Sequence, residues 1–284
     1  MAEFFVCLTF DHDNISGSIS ANTLSPTAIS RGEFGVVGAK RILALLAEHR
    51  IPATWFTPGH TIDSYPSCVA AVHAAGHEIG HHGWTHRVPS TLGAEGEEQE
   101  LVRGIASIVR LTGAPPRGYR SPAWDLSPHS IELLIKHGFV YDSSMMGHDY
   151  IPYQARNGDR FSLLEPAQFG PDTALVEMPI SWAMDDAPHF EYRRSEAGIQ
   201  PGGMNARLVI ENFINDFRYM KKHHDWGILT YTFHPHVIAR GHRMLMLEHM
   251  IETLKAEGAR FVTMETAVGE YRRRFPEGVS LRGG

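Results

Sequence analysis

The sequence predicts an α/β protein, a parallel sheet or barrel of strands wrapped by helices. Three observations carry that expectation. Short apolar, β-branched stretches alternate with amphipathic helical patterns along the chain. Gly76, Gly138 and Gly258 stand where helices should stop. The 284 residues, 43% of them hydrophobic, supply one large core or two small ones. A barrel of alternating strands and helices commonly takes about 250 residues as one domain, so residues 1–284 are expected to form a single catalytic domain.

Strands are expected at Phe4–Asp11, Ala53–Pro58, Glu78–Gly83, Gly118–Pro122, Val140–Ser143, Ala174–Ser181, Gly227–His234 and Arg260–Met264. The helices between them follow the i, i+3, i+4 rule. Ile42, Leu45 and Leu46 form one apolar face, Ile210, Phe213, Ile214 and Phe217 a second, and Leu247, Met250, Ile251 and Leu254 a third. The phrase Ala74-Ala75-Gly76-His77-Glu78-Ile79-Gly80 reads as helix end, glycine turn and strand start. There is no internal repeat, low-complexity tract or linker. Only residues 185–205 break the rhythm, with Asp185-Asp186, Phe190, Tyr192, Arg193-Arg194 and Pro201-Gly202-Gly203. A stretch this long is an active-site cap, an oligomer contact or plain surface.

Composition narrows the function. The formal net charge is -6 and no basic block occurs, which argues against nucleic acid or an anionic membrane as partner. Cys7 and Cys68 cannot staple a chain this long, and no Cys-x-x-Cys pair exists to bind zinc. Both are expected as buried free thiols. The first ten residues run straight into a strand, without a basic leader or cleavage site. No apolar run approaches the roughly 20 residues that span a bilayer. The expected location is the cytoplasm. Histidine is frequent, at 18 residues, which favours metal or proton chemistry.

The chemistry-bearing residues fall at strand ends, where a barrel of this kind places its reactive groups. The first strand ends in Thr9-Phe10-Asp11-His12-Asp13. Two carboxylates two residues apart in an extended chain face the same way. The third ends in His81-His82-Gly83-Trp84-Thr85-His86. His82 and His86, four apart, can meet one metal on a turn or tight loop. Two histidines and one carboxylate leave coordination positions open, which suggests catalysis rather than a structural site. Such a metal lowers the pKa of a bound water to about 7, and the second carboxylate of the pair could take its proton. The fourth strand ends in Arg120-Ser121-Pro122-Ala123-Trp124, a rigid wall with a cation at its root that would orient an Asp and keep it ionised. The late strand ends in Thr232-Phe233-His234-Pro235-His236. His234 is the preferred general acid and His236 its rival. Trp84, Pro122, Trp124 and Trp182 are the candidate substrate contacts.

Together these pieces resemble the polysaccharide deacetylase (NodB-like) superfamily, over Phe5 to about Thr266. Thr9-Phe10-Asp11-His12-Asp13 looks like the family's Thr-Phe-Asp-Asp motif, with His12 inserted; His82 and His86 match its His-x-x-x-His; Arg120-Ser121-Pro122 matches its Arg-x-Pro. The resemblance implies Asp11 as catalytic base and Asp13, His82 and His86 as ligands of one divalent metal, zinc first. It also implies Arg120 as the clamp on the base, the amides after it as oxyanion donors, and His234 as general acid. The family's supporting Asp for that histidine has no clear match, and Asp125, Asp142 and Asp149 are the candidates. The family fold is a distorted (β/α) barrel, usually of seven strands. Phe233-His234-Pro235-His236 and Ser181-Trp182-Ala183-Met184-Asp185-Asp186 resemble its cytoplasmic branch, which includes peptidoglycan deacetylases without export signals, allantoinases that need no metal, and cyclic imide hydrolases. That branch favours a homo-oligomer. The expected reaction is hydrolysis of a non-peptide C–N bond in a small amide or cyclic imide. The alternatives are N-deacetylation of acetylated amino sugars or peptidoglycan, a non-haem iron oxygenase with the same ligand types, and a binding protein with a vestigial site.

Overall fold

The computed structural model describes residues 2–195 and 198–281, with the backbone alone at 193–195. Its strands are β1 (Glu3–Asp11), β2 (Thr54–Thr57), β3 (Glu78–His81), β4 (Gly118–Tyr119), β5 (Tyr141–Asp142), β6 (Tyr153–Arg156), β7 (Asp172–Glu177), β8 (Arg193–Ser195), β9 (Gly198–Gln200), β10 (Trp226–Phe233) and β11 (Arg260–Phe261). The main sheet runs β10-β1-β2-β3-β4-β5-β7-β6, with β11 alongside β1. Every neighbouring pair from β10 to β7 is parallel, and β6 folds back antiparallel on β7. This is the distorted (β/α) barrel expected from the sequence, with seven parallel strands in the curl. Among the described residues the sheet does not close strand to strand. Two loops bridge the seam: Ile228 N–H donates to Tyr150 O at 2.9 Å, and Asp185 forms a parallel bridge with Thr232 on β10.

β1 sits between β10 and β2, and its alternation divides the core in two. Phe4, Val6, Leu8 and Phe10 face the helical layer with Ile42, Leu46, Phe213, Phe217, Leu247 and Leu254. Phe5 and Cys7 face the barrel interior with Tyr141, Met178, Trp226 and Met264. The same two-residue period turns Thr9 and Asp11 into the barrel mouth. The helices Pro26–His49, Ala206–His223 and Gly241–Ala256 carry the three apolar faces read from the sequence. Gly76, Gly138 and Gly258 follow helix ends with φ of +82°, +78° and +90°, where a side chain would be strained.

Three expectations need correction. β4 stops at Tyr119 rather than Pro122, because Pro122 has no N–H and Ala123 and Trp124 turn to φ of +55° and +54°. The antiparallel β6 is new; four residues, Tyr-Gln-Ala-Arg, carry too little apolar patterning to announce a strand. Cys7 is buried, but Cys68 is only half-buried. No helix among the described residues is long and apolar enough to cross a membrane.

One glycine fixes how closely β4 and β5 pack. A Cβ on Gly118 would lie 1.8 Å from Tyr141 Cζ, and the fully buried Tyr141 donates its hydroxyl to Glu78 at 2.7 Å. Gly118→Ala must displace that ring inside a packed barrel, so we expect a loss of about 1–3 kcal/mol. Urea unfolding checks this; an unchanged midpoint would show that the ring moves freely.

Candidate active site

Two short helices, Ser16–Ser20 and Gly59–Ser64, hold the backbone of the central carboxylate. Asp13 follows β1, and its carbonyl accepts from Ser16 Oγ and Thr61 Oγ1, both at 2.7 Å. His12, the inserted residue, faces away from Asp11 and Asp13. Its ring lies 5.2 Å from Trp55 in the outer core, and burial pushes its imidazole down to about 4. His12 is thus a neutral spacer that keeps Asp11 and Asp13 on one face. His81 and His82 separate by the same alternation. His81 turns outward to Leu101 O at 3.0 Å, with burial lowering it to about 3, while His82 turns inward.

His82 Nδ1 donates to Arg120 O at 2.8 Å, which leaves its Nε2 lone pair facing the site. Glu100, on the helix Ala94–Thr112, accepts from Trp84 N at 3.0 Å and Thr85 N at 2.8 Å. It thereby shapes the loop that returns His86, at φ +60°, toward His82. His82 Nε2 lies 3.5 Å from Asp13 Oδ1, and His86 Nε2 lies 3.6 Å from Asp13 Oδ2. Asp13 Oδ1 is buried with no hydrogen-bond partner among the described residues. An orphaned carboxylate oxygen facing two imidazole nitrogens is what a divalent cation with N and O ligands satisfies, and the three ligand atoms lie within 4.8 Å of one another. Burial raises the Asp13 carboxyl, but His86, His82 and His234 outweigh it and hold it below the ordinary range. The other buried set of this kind, Asp185, Asp186 and His234, fits a metal less well, because its atoms already bond one another.

Asp11 is fully enclosed beside this group. Arg120 Nη1 donates to Asp11 Oδ1 and to Thr9 Oγ1, both at 2.8 Å. Arg120 is itself pinned by Ser143 O and Oγ at 3.1 and 3.0 Å, with its guanidinium 4.2 Å over Phe56. Burial pushes the Asp11 carboxyl up, yet Arg120, then His82 and His234, bring it below its ordinary value. Trp124 Nε1 approaches Asp11 Oδ2 at 3.4 Å. The half-exposed Trp182 stacks on Trp124 at 4.2 Å, so the two indoles form a flat wall over the carboxylate.

His234 leaves β10 with Nε2 at 4.0 Å from Asp11 Oδ2 and 3.9 Å from Asp13 Oδ2. Its Nδ1 meets Asp186 Oδ1 at 2.8 Å, and its N–H reaches both Asp186 oxygens at 3.1 Å. The supporting carboxylate is therefore Asp186, not Asp125, Asp142 or Asp149. Asp125 accepts from Ser90 and Asp142 from Ser144, while Asp149 lies near Asp216 beyond the seam. The segment that broke the sequence rhythm delivers Asp186, through the Asp185–Thr232 bridge. Burial pushes His234 down, but the charge of Asp185 and the hydrogen bond and charge of Asp186 hold it well above its ordinary value. Burial also pushes Asp185 up to about 7. His236 tips into the same pocket with Nε2 3.3 Å from Glu191.

Two expected substrate contacts do not hold. The Trp84 indole lies under the Arg103 guanidinium at 3.3 Å and donates to Asp63, on the helical side. Pro122 is buried against Gly83 and braces the loop that carries His82 and His86. Asp13 and His86 open onto a pocket of about 610 Å³ with Ala123, Arg31, Glu191 and His236 also on its walls.

The polysaccharide deacetylase family model matches residues 3–141. A peptidoglycan deacetylase of Helicobacter pylori is 35% identical over 96% of this chain and 98% of its own length. The chain belongs to the polysaccharide deacetylase family. A candidate polysaccharide deacetylase from Mycobacterium smegmatis, of known crystal structure, superposes with a TM-score of 0.83 at 28% identity, over 96% of this chain and 91% of its own. An allantoinase structure shares the fold at 20% identity, with a TM-score of 0.75 over 96% and 91%. Membership makes this polysaccharide deacetylase relative a hydrolase of amide C–N bonds.

Proposed function

We propose that this enzyme removes the acetyl group from a small acetamido compound, with Asp13, His82 and His86 holding one divalent cation, zinc first. The observation that supports this best is that a clamped carboxylate, an orphaned carboxylate with two imidazoles, and a carboxylate-backed histidine lie within 4.0 Å of one another in a chain of contacts, beside a pocket that Asp13 and His86 line. When bound, the cation supplies Lewis-acid polarisation of the scissile carbonyl and acidification of the attacking water. Asp11, ionised beside Arg120, takes the water proton as the new C–O bond forms. Of the amides after Arg120, that of Ser121 is taken by Ser144 Oγ, and those of Trp124 and Asp125 close the turn. The Ala123 N–H at the pocket wall is placed to receive the oxyanion. His234, protonated and oriented by Asp186, gives its Nε2 proton to the leaving nitrogen as the C–N bond breaks, yielding acetate and an amine.

The pocket's polar lining, with Asn14, Ser18, Ser20 and Gln200, suits a hydroxylated substrate such as an amino sugar. The stacked Trp124 and Trp182 favour a second reading, the opening of a flat cyclic imide. Metal-loaded protein assayed for acetate release from acetamido sugars and for ring opening of succinimide-type imides separates the two. Acetate release that follows metal occupancy is the expected result; ring opening without acetate release selects the second reading.

A further inference from the structure

The catalytic pocket does not end at the cap. Thr23, Arg31, Glu191 and His236 line both that pocket and an adjoining groove of about 1010 Å³. Arg31, Arg240 and Arg243 project along the groove. The Arg240 guanidinium lies 3.5 Å over the Phe34 ring, with Arg41 5.6 Å from the same ring. Arg243 lies 4.7 Å over Phe190 and donates to Val237 O and Phe190 O. Among the described residues, no carboxylate comes within 4 Å of Arg41, Arg240 or Arg243, and Arg31 approaches Glu191 only at 3.7 Å. Burial and the neighbouring Arg41 push Arg240 below its ordinary value. A chain of net charge -6 thus gathers arginines at the mouth of its active site: Glu191 pairs with Arg31 and the charge of Asp186 acts on Arg243, while Arg240 and Arg41 stand side by side with no carboxylate within 4 Å among the described residues. Like charges held together without a counter-ion destabilise the fold, so this placement points to an anion supplied from outside.

The rest of the groove agrees. Ser25, Thr27 and Ser30 line it from the first turns of the 24-residue helix Pro26–His49, which has no acid in its first turn. That end carries a positive partial charge, with Ser25 Oγ capping the Ala28 amide at 3.3 Å. Guanidinium forks and hydroxyls around one cavity match phosphate oxygens, which accept several charge-assisted hydrogen bonds at once.

We propose that this groove binds the phosphate of a phosphorylated acetamido sugar, whose acetamido end occupies the catalytic pocket. The proposal rests on the deacetylase reading above for the reaction, and on the groove alone for the phosphate. Acetate release is compared for N-acetylglucosamine, its 1-phosphate and its nucleoside diphosphate conjugate. One of the phosphorylated forms should exceed the neutral sugar in kcat/KM by about tenfold or more, the order set by one charge-assisted hydrogen bond. Which of the two does so tells whether the groove takes a monophosphate or a diphosphate. Arg240→Gln should lower the phosphorylated-to-neutral ratio about tenfold, Arg240→Lys should restore part of it, and Arg243→Gln gives an independent second variant. Glucose 1-phosphate has no acetyl group, so its binding by calorimetry reads the groove without turnover. Binding that Arg240→Gln weakens, with no acetate from any sugar, would reject deacetylation and keep the groove. Equal kcat/KM for neutral and phosphorylated sugars, with glucose 1-phosphate unbound, would overturn the groove assignment. So would an Arg240→Gln protein whose sedimentation mass changes while its substrate ratio does not, since the cluster would then be a subunit contact.

Discussion

Asp11→Asn should lower kcat by about two orders of magnitude or more while the protein keeps its metal, the usual loss for a general base. Asparagine preserves shape. Its Oδ1 still accepts from Arg120 Nη1 at the present 2.8 Å, so the neighbouring ligand loop keeps its support. What disappears is a basic oxygen able to take a proton. The substitution has a second effect that turnover alone would confuse with the first. Arg120 is fully buried, and Asp11 is the sole carboxylate within 4 Å of it among the described residues. Removing one partner of a buried ion pair typically costs 3–5 kcal/mol, moderated here by Thr9 and both Ser143 acceptors. The variant should therefore unfold at clearly lower urea, and kcat must be read well below that midpoint with metal content measured on the same sample. Unchanged turnover would remove Asp11 as the base. Metal loss in Asp11→Asn, with metal retained in Asp13→Asn, would reverse the roles of the two aspartates.

What could be read from the sequence divides along physical lines. Local alternation was legible. The two-residue period that turns Phe5, Cys7, Thr9 and Asp11 into the barrel also separates His82 from His81 and sends His12 to the outer core. The apolar helix faces and the glycine stops obeyed equally local rules. Misread features depend on contacts between distant segments. Asp186 meets His234 across 48 positions, through a seam bridge that no local pattern encodes. Its one trace in the sequence was the Asp185-Asp186 pair inside a stretch that fitted no element. Glu100 holds the amides of Trp84 and Thr85 from 16 and 15 positions away, a contact that no local pattern marks. Trp84 stands between His82 and His86 in sequence, but the turn that brings His86 back throws the indole to the other side.

Asp186→Asn should shift the basic limb of the kcat/KM profile to lower pH and reduce activity at pH 8 by about a hundredfold, with a smaller loss near pH 6. Replacing the partner aspartate of a catalytic histidine by asparagine has such effects where the partner fixes tautomer and charge. The sign follows from the site. His234 must be protonated to act as the acid. Burial opposes that charge, and Asp185 and Asp186 more than restore it. Deleting the Asp186 charge lowers the imidazole pKa, so the protonated fraction falls at pH values where the parent enzyme still holds its proton. A cation at Asp13 opposes His234 protonation in both proteins and leaves the direction of the shift unchanged. Asp185→Asn provides the contrast. Asp185 Oδ1 lies 3.4 Å from His234 Nδ1 and caps Ala187 N at 3.0 Å, so its removal takes away charge without releasing the ring. That variant should move the limb while its kcat below the limb stays closer to the parent's. A basic limb unmoved in Asp186→Asn would take Asp186 out of this role and assign the ionisation to another group.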